Sequence, residues 1–297
     1  MSNQRKADLA LVLVTLFWGV SYYLVNLCLA ELQPMNLNAF RFLLAFLVLG
    51  PIFGKKLRNA SRATLKYSVI IGTLLVGVYA GATYGVAYTS ISNAGFICAL
   101  PVVFTPLLDF AVNRRKPGKK LAVALVMCTV GLALLTLNDQ FHPASGDLIC
   151  LVCAVCYAAD MLVTERAVAR PDVDAVTLGV CQLGVAGVLM LLVSALVEQP
   201  RLPLSPGVWG AAIFLGLFCS GVAFVIQSVA QQYTTASHVG VIFTLEPVFS
   251  GIVAYFFADE KLLPRGYVGA ALMLLSLLVI EVDWSGLLKK LRAGHGE

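Results

Sequence analysis

Charged residues are scarce in this chain. Aspartate, glutamate, lysine and arginine make up 12% of its 297 residues, whereas soluble domains carry about 25%. Hydrophobic residues reach 59%, and the mean hydropathy is +0.87. No polar stretch is long enough to fold as a separate soluble domain. The composition therefore predicts an integral membrane protein.

The sequence also lacks the residue patterns of catalytic, metal and nucleotide sites. It has three histidines, of which His142 and His295 lie in a polar loop and in the tail. Cys150, Cys153 and Cys156 resemble a metal motif, but this spacing on a helix points the thiols in different directions. No phosphate-binding glycine loop is present. We expect no enzyme activity, no cofactor, metal or nucleic-acid partner, and cysteines that act as packing residues.

Ten apolar runs are long enough, or nearly so, to span a bilayer, which takes about 20 helical residues. They are residues 8–30, 37–54, 67–89, 92–112, 121–137, 147–168, 175–197, 208–231, 236–257 and 265–282. The runs lack the alternation of an outer-membrane barrel. We therefore predict an all-α polytopic membrane protein with ten transmembrane helices.

Lysine and arginine are distributed unequally over the loops between these runs. With the N-terminus in the cytoplasm, 17 of the 21 fall on the inner side and three on the outer side, and Arg41 lies within a run. Cytoplasmic loops of membrane proteins carry such an excess. We therefore predict that both termini are cytoplasmic.

A short repeat indicates an internal duplication. Tyr88–Ile97 (YTSISNAGFI) and Tyr233–Ile242 (YTTASHVGVI) share Tyr, Thr, Ser, Gly and Ile in register. With five spans in each half, the second copy enters the membrane from the opposite side, as in the inverted repeats of secondary transporters. We predict a first repeat at 1–137, a second at 146–283 and a cytoplasmic tail at 284–297. Transporters of this plan bind substrate near the midplane, between the repeats.

Glu246 and Pro247 lie near the middle of the apolar stretch Ser237–Lys261. A charge at such a depth costs at least ~2.5 kcal/mol on insertion scales, and the proline removes a backbone donor and loosens the helix. These two features together indicate a functional site. We predict that Glu246 couples transport to protons; the alternative is a helix-packing group at the proline break.

Polar and aromatic side chains recur at helical spacing in other runs. Thr15, Trp18, Tyr22 and Asn26 share one helical face, which predicts either a cavity wall or a contact between helices. The predicted substrate-binding residues are Trp18, Tyr22, Tyr79, Tyr84, Tyr157, Gln182, Gln227 and Arg41. Tyr79 and Tyr84 are alternatives for one position, since both flank a ridge of small residues that begins with Gly77 and Gly81 and favours close helix packing.

Two charged residues within the runs have competing interpretations. Arg41 either extends to the lipid headgroups or binds a substrate carboxylate. Asp160, on one face with Tyr157 and Thr164, is a second candidate for coupling, although Arg166 follows closely enough to pair with it.

Three further polar groups are less specific. Ser220, Gln227 and Gln231 are expected on one face of their run, as ligand contacts or as partners of neighbouring helices. Asp109 is expected to pair with Arg114 at the inner surface. His238 either relays protons or forms part of a polar helix start.

Several motifs resemble the EamA-type carriers of the drug/metabolite transporter superfamily. They are FWG at Phe17–Gly19, Arg41-Phe42, TSISNAGFI followed by Pro101 and Pro106, Gly146-Asp147, and TLEPVF with ADEKL within Thr244–Leu262. The resemblance covers nearly the whole chain and is specific to the superfamily, not to a substrate. It implies a cavity near the third, fourth, eighth and ninth runs, with the fifth and tenth at the periphery. It also implies a bacterial inner membrane location and a monomer or homodimer.

These observations lead to two functional hypotheses. The first is a secondary carrier that moves an amino acid or related amine by alternating access, with export as the direction implied by the family. Aromatic faces and a carboxylate suit such a cation. The second is an uncoupled uniporter or channel in which Glu246 is structural.

Overall fold

The computed structural model describes residues 2–86, 88, 97–136, 145–257 and 263–281. Three segments named above lie outside the described residues. They are most of the short motif Tyr88–Ile97, the ADEKL motif and the tail at 284–297.

The described part of the chain is helical. Its helices are α1 (Asn3–Leu29), α2 (Pro34–Ile52), α3 (Gly54–Arg58), α4 (Arg62–Val86), α5 (Pro101–Asn113), α6 (Lys119–Thr136), α7 (Ser145–Val168), α8 (Ala175–Val197), α9 (Pro206–Phe214), α10 (Ala223–Ala230), α11 (Ala236–Phe243), α12 (Glu246–Phe257) and α13 (Pro264–Glu281). A π-helical segment, Leu215–Val222, joins α9 to α10. The all-α prediction is confirmed.

Seven of the helices described are long and apolar enough to span a membrane, when α9, the π-helical segment and α10 count as one and α11 and α12 as another. Shorter apolar helices cover Pro101–Asn113 and Pro264–Val279. Short polar side chains cap the starts of α8, α9 and α11. The side chains of Asp174, Ser205 and Thr235 each accept a hydrogen bond from the backbone amide three residues later. Such caps satisfy amides that have no partner inside the helix.

The helix is interrupted at Thr244-Leu245, directly before Glu246-Pro247, where the proline was predicted to loosen it. α11 ends at Phe243 and α12 begins at Glu246, with Pro247 in its first turn. Proline is tolerated there because the first amides of a helix have no intrahelical acceptor. The break places the Glu246 carboxylate at a helix start within the bundle.

Small residues set the closest helix contacts. A Cβ added to Gly77 would lie 2.8 Å from Cys156 Sγ, and one added to Gly81 would lie 2.8 Å from the Cys153 amide nitrogen. The predicted small-residue ridge of α4 therefore packs against α7. A Cβ on Gly19 would lie 2.5 Å from Phe249 Cβ, so the glycine of the FWG motif lets α1 approach α12.

α2 and α8 form one of the most extensive helix contacts, which we call the α2–α8 seam. Phe46 packs on Gly184 and Leu43 packs on Gly187. α4 packs on α7, α6 packs on α13, and α1 packs on both α12 and the α9–α10 rod.

Candidate functional site

A cavity of about 610 Å³ lies between helices of the two halves of the chain. α1 lines it with residues from Trp18 to Leu29, and α2 contributes residues from Pro34 to Arg41. It therefore extends from the middle of the bundle to the end where α1 connects to α2, which we call the open end. Pockets of roughly 300–1,000 Å³ suit small-molecule ligands.

Two residues of opposite charge line this cavity. Arg41 comes from α2 in the first half, and Glu246 comes from the start of α12 in the second half. The Glu246 carboxylate lies beside Tyr22 and within electrostatic reach of Arg41. Among the described residues no carboxylate lies within 4.0 Å of the guanidinium. The two groups thus share one cavity without forming a direct ion pair.

The interpretation of Arg41 as a headgroup-binding residue is wrong, because the side chain is only 3% exposed. Its Nε donates a hydrogen bond of 2.7 Å to Ser220 Oγ in the π-helical segment. The guanidinium carbon lies 5.4 Å from the centre of the Tyr79 ring and 5.9 Å from that of Phe42. At such distances an aromatic face attracts the cation.

Aromatic rings close the cavity on the side away from the open end. Trp18 lies with its ring centre 4.7 Å from that of Phe243 and 6.2 Å from that of Tyr157. Phe224 completes this aromatic layer at 5.7 Å from Trp18. The Trp18 Nε1 donates to the Cys219 carbonyl at 2.8 Å, which fixes the indole.

Beyond the aromatic layer lies a buried polar cluster. Asp160 is 1% exposed and Gln227 is 2% exposed, and the Gln227 amide donates to Asp160 Oδ2 at 3.5 Å. Gln231 donates to the Met161 carbonyl at 2.8 Å. Asp160 Oδ1 and Thr164 Oγ1 have no hydrogen-bond partner among the described residues. The alternative pairing of Asp160 with Arg166 is absent from the described contacts, since Arg166 donates to Asn113.

At the end of the bundle opposite the open end, which we call the closed end, polar side chains of the two halves contact each other. Asp8 on α1 lies 3.3 Å from His238 Nε2 on α11. Glu165 binds Arg115 at 2.9 Å and also accepts the Ala236 amide at the start of α11.

Two further contacts at the closed end correct or refine the sequence interpretation. Arg166 donates to Asn113, and Asn113 donates to Asp109, so the expected ion pair of Asp109 with Arg114 is absent from the described contacts. His238 lies in the first turn of α11, where its amide donates to the Thr235 cap.

The structure brings together some of the predicted site residues and separates others. Those that line the cavity are Trp18, Tyr22, Tyr79, Tyr157, Arg41 and Glu246. The lining does not include Tyr84, Gln182, Gln227 or Asp160. Tyr84 lies near Glu198, and the Gln182 amide donates to Ser228 Oγ at 3.3 Å. Of the two candidate tyrosines on α4, Tyr79 is the one that faces the cavity.

The predicted face of α1 is only partly a cavity wall. Trp18 and Tyr22 line the cavity, whereas Thr15 is buried and donates to the Val12 carbonyl. Asn26 is exposed and lies outside the lining.

Sequence reasoning missed other polar residues of the lining. Asn38, Ser21 and Ser250 contribute to it. Asn38 precedes Arg41 by three residues and Ser21 follows Trp18 by three, so helical spacing from a predicted residue was the available signal.

Two neighbouring cysteines pack against α4, and one of them, Cys153, also lines the cavity. Cys153 and Cys156 lie against Gly81 and Gly77 of α4. Over the described ranges, no three histidine, cysteine, aspartate or glutamate side chains are placed to hold a metal ion.

Comparison with known proteins identifies the family. The EamA-like transporter family matches residues 5–137 and 144–282. The chain belongs to this family. An uncharacterized transporter of Archaeoglobus fulgidus is 26% identical over 277 residues, covering 93% of this chain and 86% of the relative. The uncharacterized transporter YyaM of Bacillus subtilis is 24% identical, covering 89% and 90%.

A solved crystal structure has the same fold as this EamA-like chain. It superimposes with a TM-score of 0.79 at 18% identity, covering 93% of this chain and 96% of the other. Membership of the family makes the chain a multi-pass membrane transporter and not an enzyme. The resemblance deduced from the sequence motifs is thereby confirmed.

Proposed function

We propose that this EamA-like transporter is a secondary carrier that moves an amino acid or a related amine by alternating access. The observation that carries the proposal is the placement of Arg41 and Glu246 on different walls of one cavity. A zwitterion presents a carboxylate to the first and an ammonium to the second. Trp18, Tyr22 and Tyr157 supply aromatic faces for the ammonium and for an apolar side chain. The Tyr79 ring already lies against the Arg41 guanidinium.

The proposed architecture is ten transmembrane helices in two inverted five-helix repeats, 1–137 and 146–283, with cytoplasmic termini. Three features support it: the family matches the chain twice, lysine and arginine are concentrated in alternate loops, and helix contacts recur in related pairs. α4 packs on α7 as the α9–α10 rod packs on α1. An exchange of the two halves converts one contact into the other.

Alternating access requires that the open end and the closed end exchange roles. Here the cavity is accessible from the open end, which the charge distribution assigns to the outer side. The aromatic layer and the closed-end contacts separate it from the other side. Export of substrate from the cytoplasm would load the opposite conformation.

Coupling is assigned to the two carboxylates within the bundle. Glu246 binds either the substrate ammonium or a proton, so loading of one releases the other. Asp160 has one unpartnered oxygen and no cationic side chain within 4.0 Å among the described residues. An uncompensated buried charge is costly, which favours a proton on Asp160 while its cluster is closed.

The test is uptake into proteoliposomes across a panel of amino acids and amines, with and without a proton gradient. We expect gradient-dependent uptake by the wild type that Glu246→Gln abolishes. Any exchange that remains in the variant should be weaker and independent of the gradient, because the variant also loses the charge that binds the ammonium. Asp109→Asn is the matched control, because Asp109 is a carboxylate on a helix but outside the cavity lining. Uptake that ignores both the gradient and the Glu246 variant would instead support the uncoupled uniporter.

A further inference from the structure

We propose that Ser220, held in the π-helical segment, is a positioning residue that aims Arg41 and thereby gives the carrier its preference for substrates with a carboxylate. This inference rests on the proposed function and assigns a specific task to a segment that lies outside the cavity lining. Ser220 is fully buried and accepts the Arg41 Nε hydrogen at 2.7 Å.

The π-helical segment approaches α2 closely at Arg41. A Cβ added to Gly216 would lie 3.1 Å from the Arg41 carbonyl oxygen and 2.9 Å from a Leu44 methyl group. A Cβ on Gly221 would lie 3.3 Å from Ala45 Cβ. Glycines on either side of Ser220 therefore allow the backbone to come near enough for a short side chain to reach the guanidinium.

The π-helical segment also orients the Trp18 indole. The Ala223 amide donates to the Phe218 carbonyl, five residues earlier, as in a π-helix. The Cys219 carbonyl, which an α-helix would pair with Ala223, accepts the Trp18 indole hydrogen at 2.8 Å. Two consecutive residues of this segment thus fix one cationic and one aromatic group of the cavity.

The bond to Ser220 determines which guanidinium hydrogens remain for a ligand. Nε is occupied, so the two terminal nitrogens of Arg41 are left to face the cavity that this residue lines. A carboxylate can bind both of them side by side, and such paired contacts depend strongly on orientation. Without the Ser220 hydroxyl, the cation can turn towards the ring of Tyr79, 5.4 Å away.

The experiment compares ligands that differ only by the carboxylate. Purified full-length protein is titrated by calorimetry with phenylalanine and phenethylamine, and with leucine and 3-methylbutylamine. We expect Ser220→Ala to weaken binding of the amino acids by about tenfold, as befits a hydrogen bond to a charged group, and to change binding of the amines less than about twofold. Ser220→Thr, which keeps the hydroxyl, should restore the preference.

Ser228→Ala is the matched control. Ser228 is also fully buried on the same rod and loses the same atom, but its hydroxyl donates to the Phe224 carbonyl and accepts from Gln182. We expect it to leave the ratio of amino-acid to amine affinity unchanged.

Other outcomes would overturn either the role of Ser220 alone or the proposed substrate class as well. Equal weakening of amino acids and amines by Ser220→Ala, or no rescue by threonine, gives Ser220 a packing role only and overturns the inference while the carrier function stands. A wild type that binds the amines as well as the amino acids overturns the carboxylate role of Arg41, and with it the inference. A wild type that binds none of the four ligands overturns the proposed substrate class as well.

Discussion

The two ends of the bundle are held together in different ways. At the open end, carboxylates of one half accept backbone amides of the other: Glu198 binds the amides of Met35 and Asn36, and Glu31 binds those of Leu204 and Ser205. At the closed end, side chains bind side chains, as in Asp8 with His238 and Arg115 with Glu165. Both sets cross between the halves, but they join different helices.

The difference separates a fixed contact from a movable one. The open-end bonds tie the α1–α2 connection to the α8–α9 connection, at one end of the α2–α8 seam. The other end of the seam is tied as well, through Lys56 with Asp174 and Ser61 with the Asp172 carbonyl. Because this seam is fastened at both ends, we infer that it stays intact during transport. The Asp8–His238 and Arg115–Glu165 contacts, also at the closed end, lie away from this seam and involve α1, α7, α11 and the segment after α5, where access has to open.

The largest expected effect comes from breaking the aromatic layer. Trp18→Ala removes a buried indole that contacts three rings, which should lower the free energy of unfolding by about 3–5 kcal/mol. It should also expose the cavity from the closed end. The measurement is labelling of Cys98 and Cys153, which line the cavity, by a membrane-impermeant thiol reagent added to either side of oriented vesicles.

Trp209→Ala is the control for that variant. Trp209 packs on Phe40 with ring centres 5.5 Å apart and lies outside the cavity lining. It should leave the sidedness of labelling unchanged. If Cys98 and Cys153 of the Trp18→Ala variant are labelled from the open end alone, the aromatic layer is not the barrier between the cavity and the closed end.

Removal of the Glu198 carboxylate, which accepts hydrogen bonds at the open end, should destabilise the protein without changing the side from which the cavity is accessible. Glu198→Ala takes the acceptor from two amides in the first turn of α2 and from the Ser194 hydroxyl. Loss of a helix-capping group costs about 0.5–2 kcal/mol. We expect a lower unfolding temperature in detergent and the wild-type side preference in cysteine labelling. A shift of labelling to the closed end would show that the α2–α8 seam moves.

Weakening the closed-end contacts should change access to the cavity while leaving stability nearly unchanged. Glu165→Gln removes a partly exposed ion pair with Arg115, and such pairs contribute about 0.2–1 kcal/mol. Unfolding should therefore change little, while labelling of Cys153 from the closed end rises severalfold. Asp172→Asn is the matched control, since its ion pair with Arg170 lies within one loop. An equal rise in both variants would contradict a gating role.

The smallest effect is a pH dependence at the open end. Hydrogen bonds from Ser205 and from the Leu204 amide lower the pKa of Glu31 from its ordinary value of 4.5. A carboxyl whose pKa is lower in the folded state stabilises fully above the unfolded value, and that stability is lost as the pH falls through the folded value. The unfolding temperature of the wild type should therefore fall as the pH drops below about 4.5. The Glu31→Gln variant should lack this part of the decline. Identical pH profiles of the wild type and Glu31→Gln would exclude the Glu31 hydrogen bonds as the source of the decline.

Part of the candidate site could be predicted from sequence because insertion cost and helix breaking are local properties. Glu246-Pro247 was recognised from a charge and a proline within one apolar stretch, and the structure has a helix boundary there. Arg41 was recognised as ambiguous, since one sequence does not say whether a cation near a helix end is covered by protein. Its burial follows from the approach of the π-helical segment.

Faces of buried helices could not be assigned by the same means. Ser220, Gln227 and Gln231 were expected together, yet Ser220 contacts Arg41 on α2 whereas Gln227 and Gln231 contact α7. The π-helical segment between α9 and α10 changes the rotation per residue, so α-helical spacing fails across it. A helix surrounded by protein also has several polar faces, and only one of them meets the cavity.

The membrane class, the family and the positions of the main helices could be assigned from sequence, because they depend on composition, apolar length and local motifs. Which polar groups share a cavity depends on how the helices pack. The tertiary structure brought Arg41 and Glu246 together from opposite halves and withdrew Asp160 and Gln227 behind an aromatic layer. The physical reason is that helical spacing fixes where a side chain lies on its own helix, whereas close packing through glycines fixes which neighbour it meets.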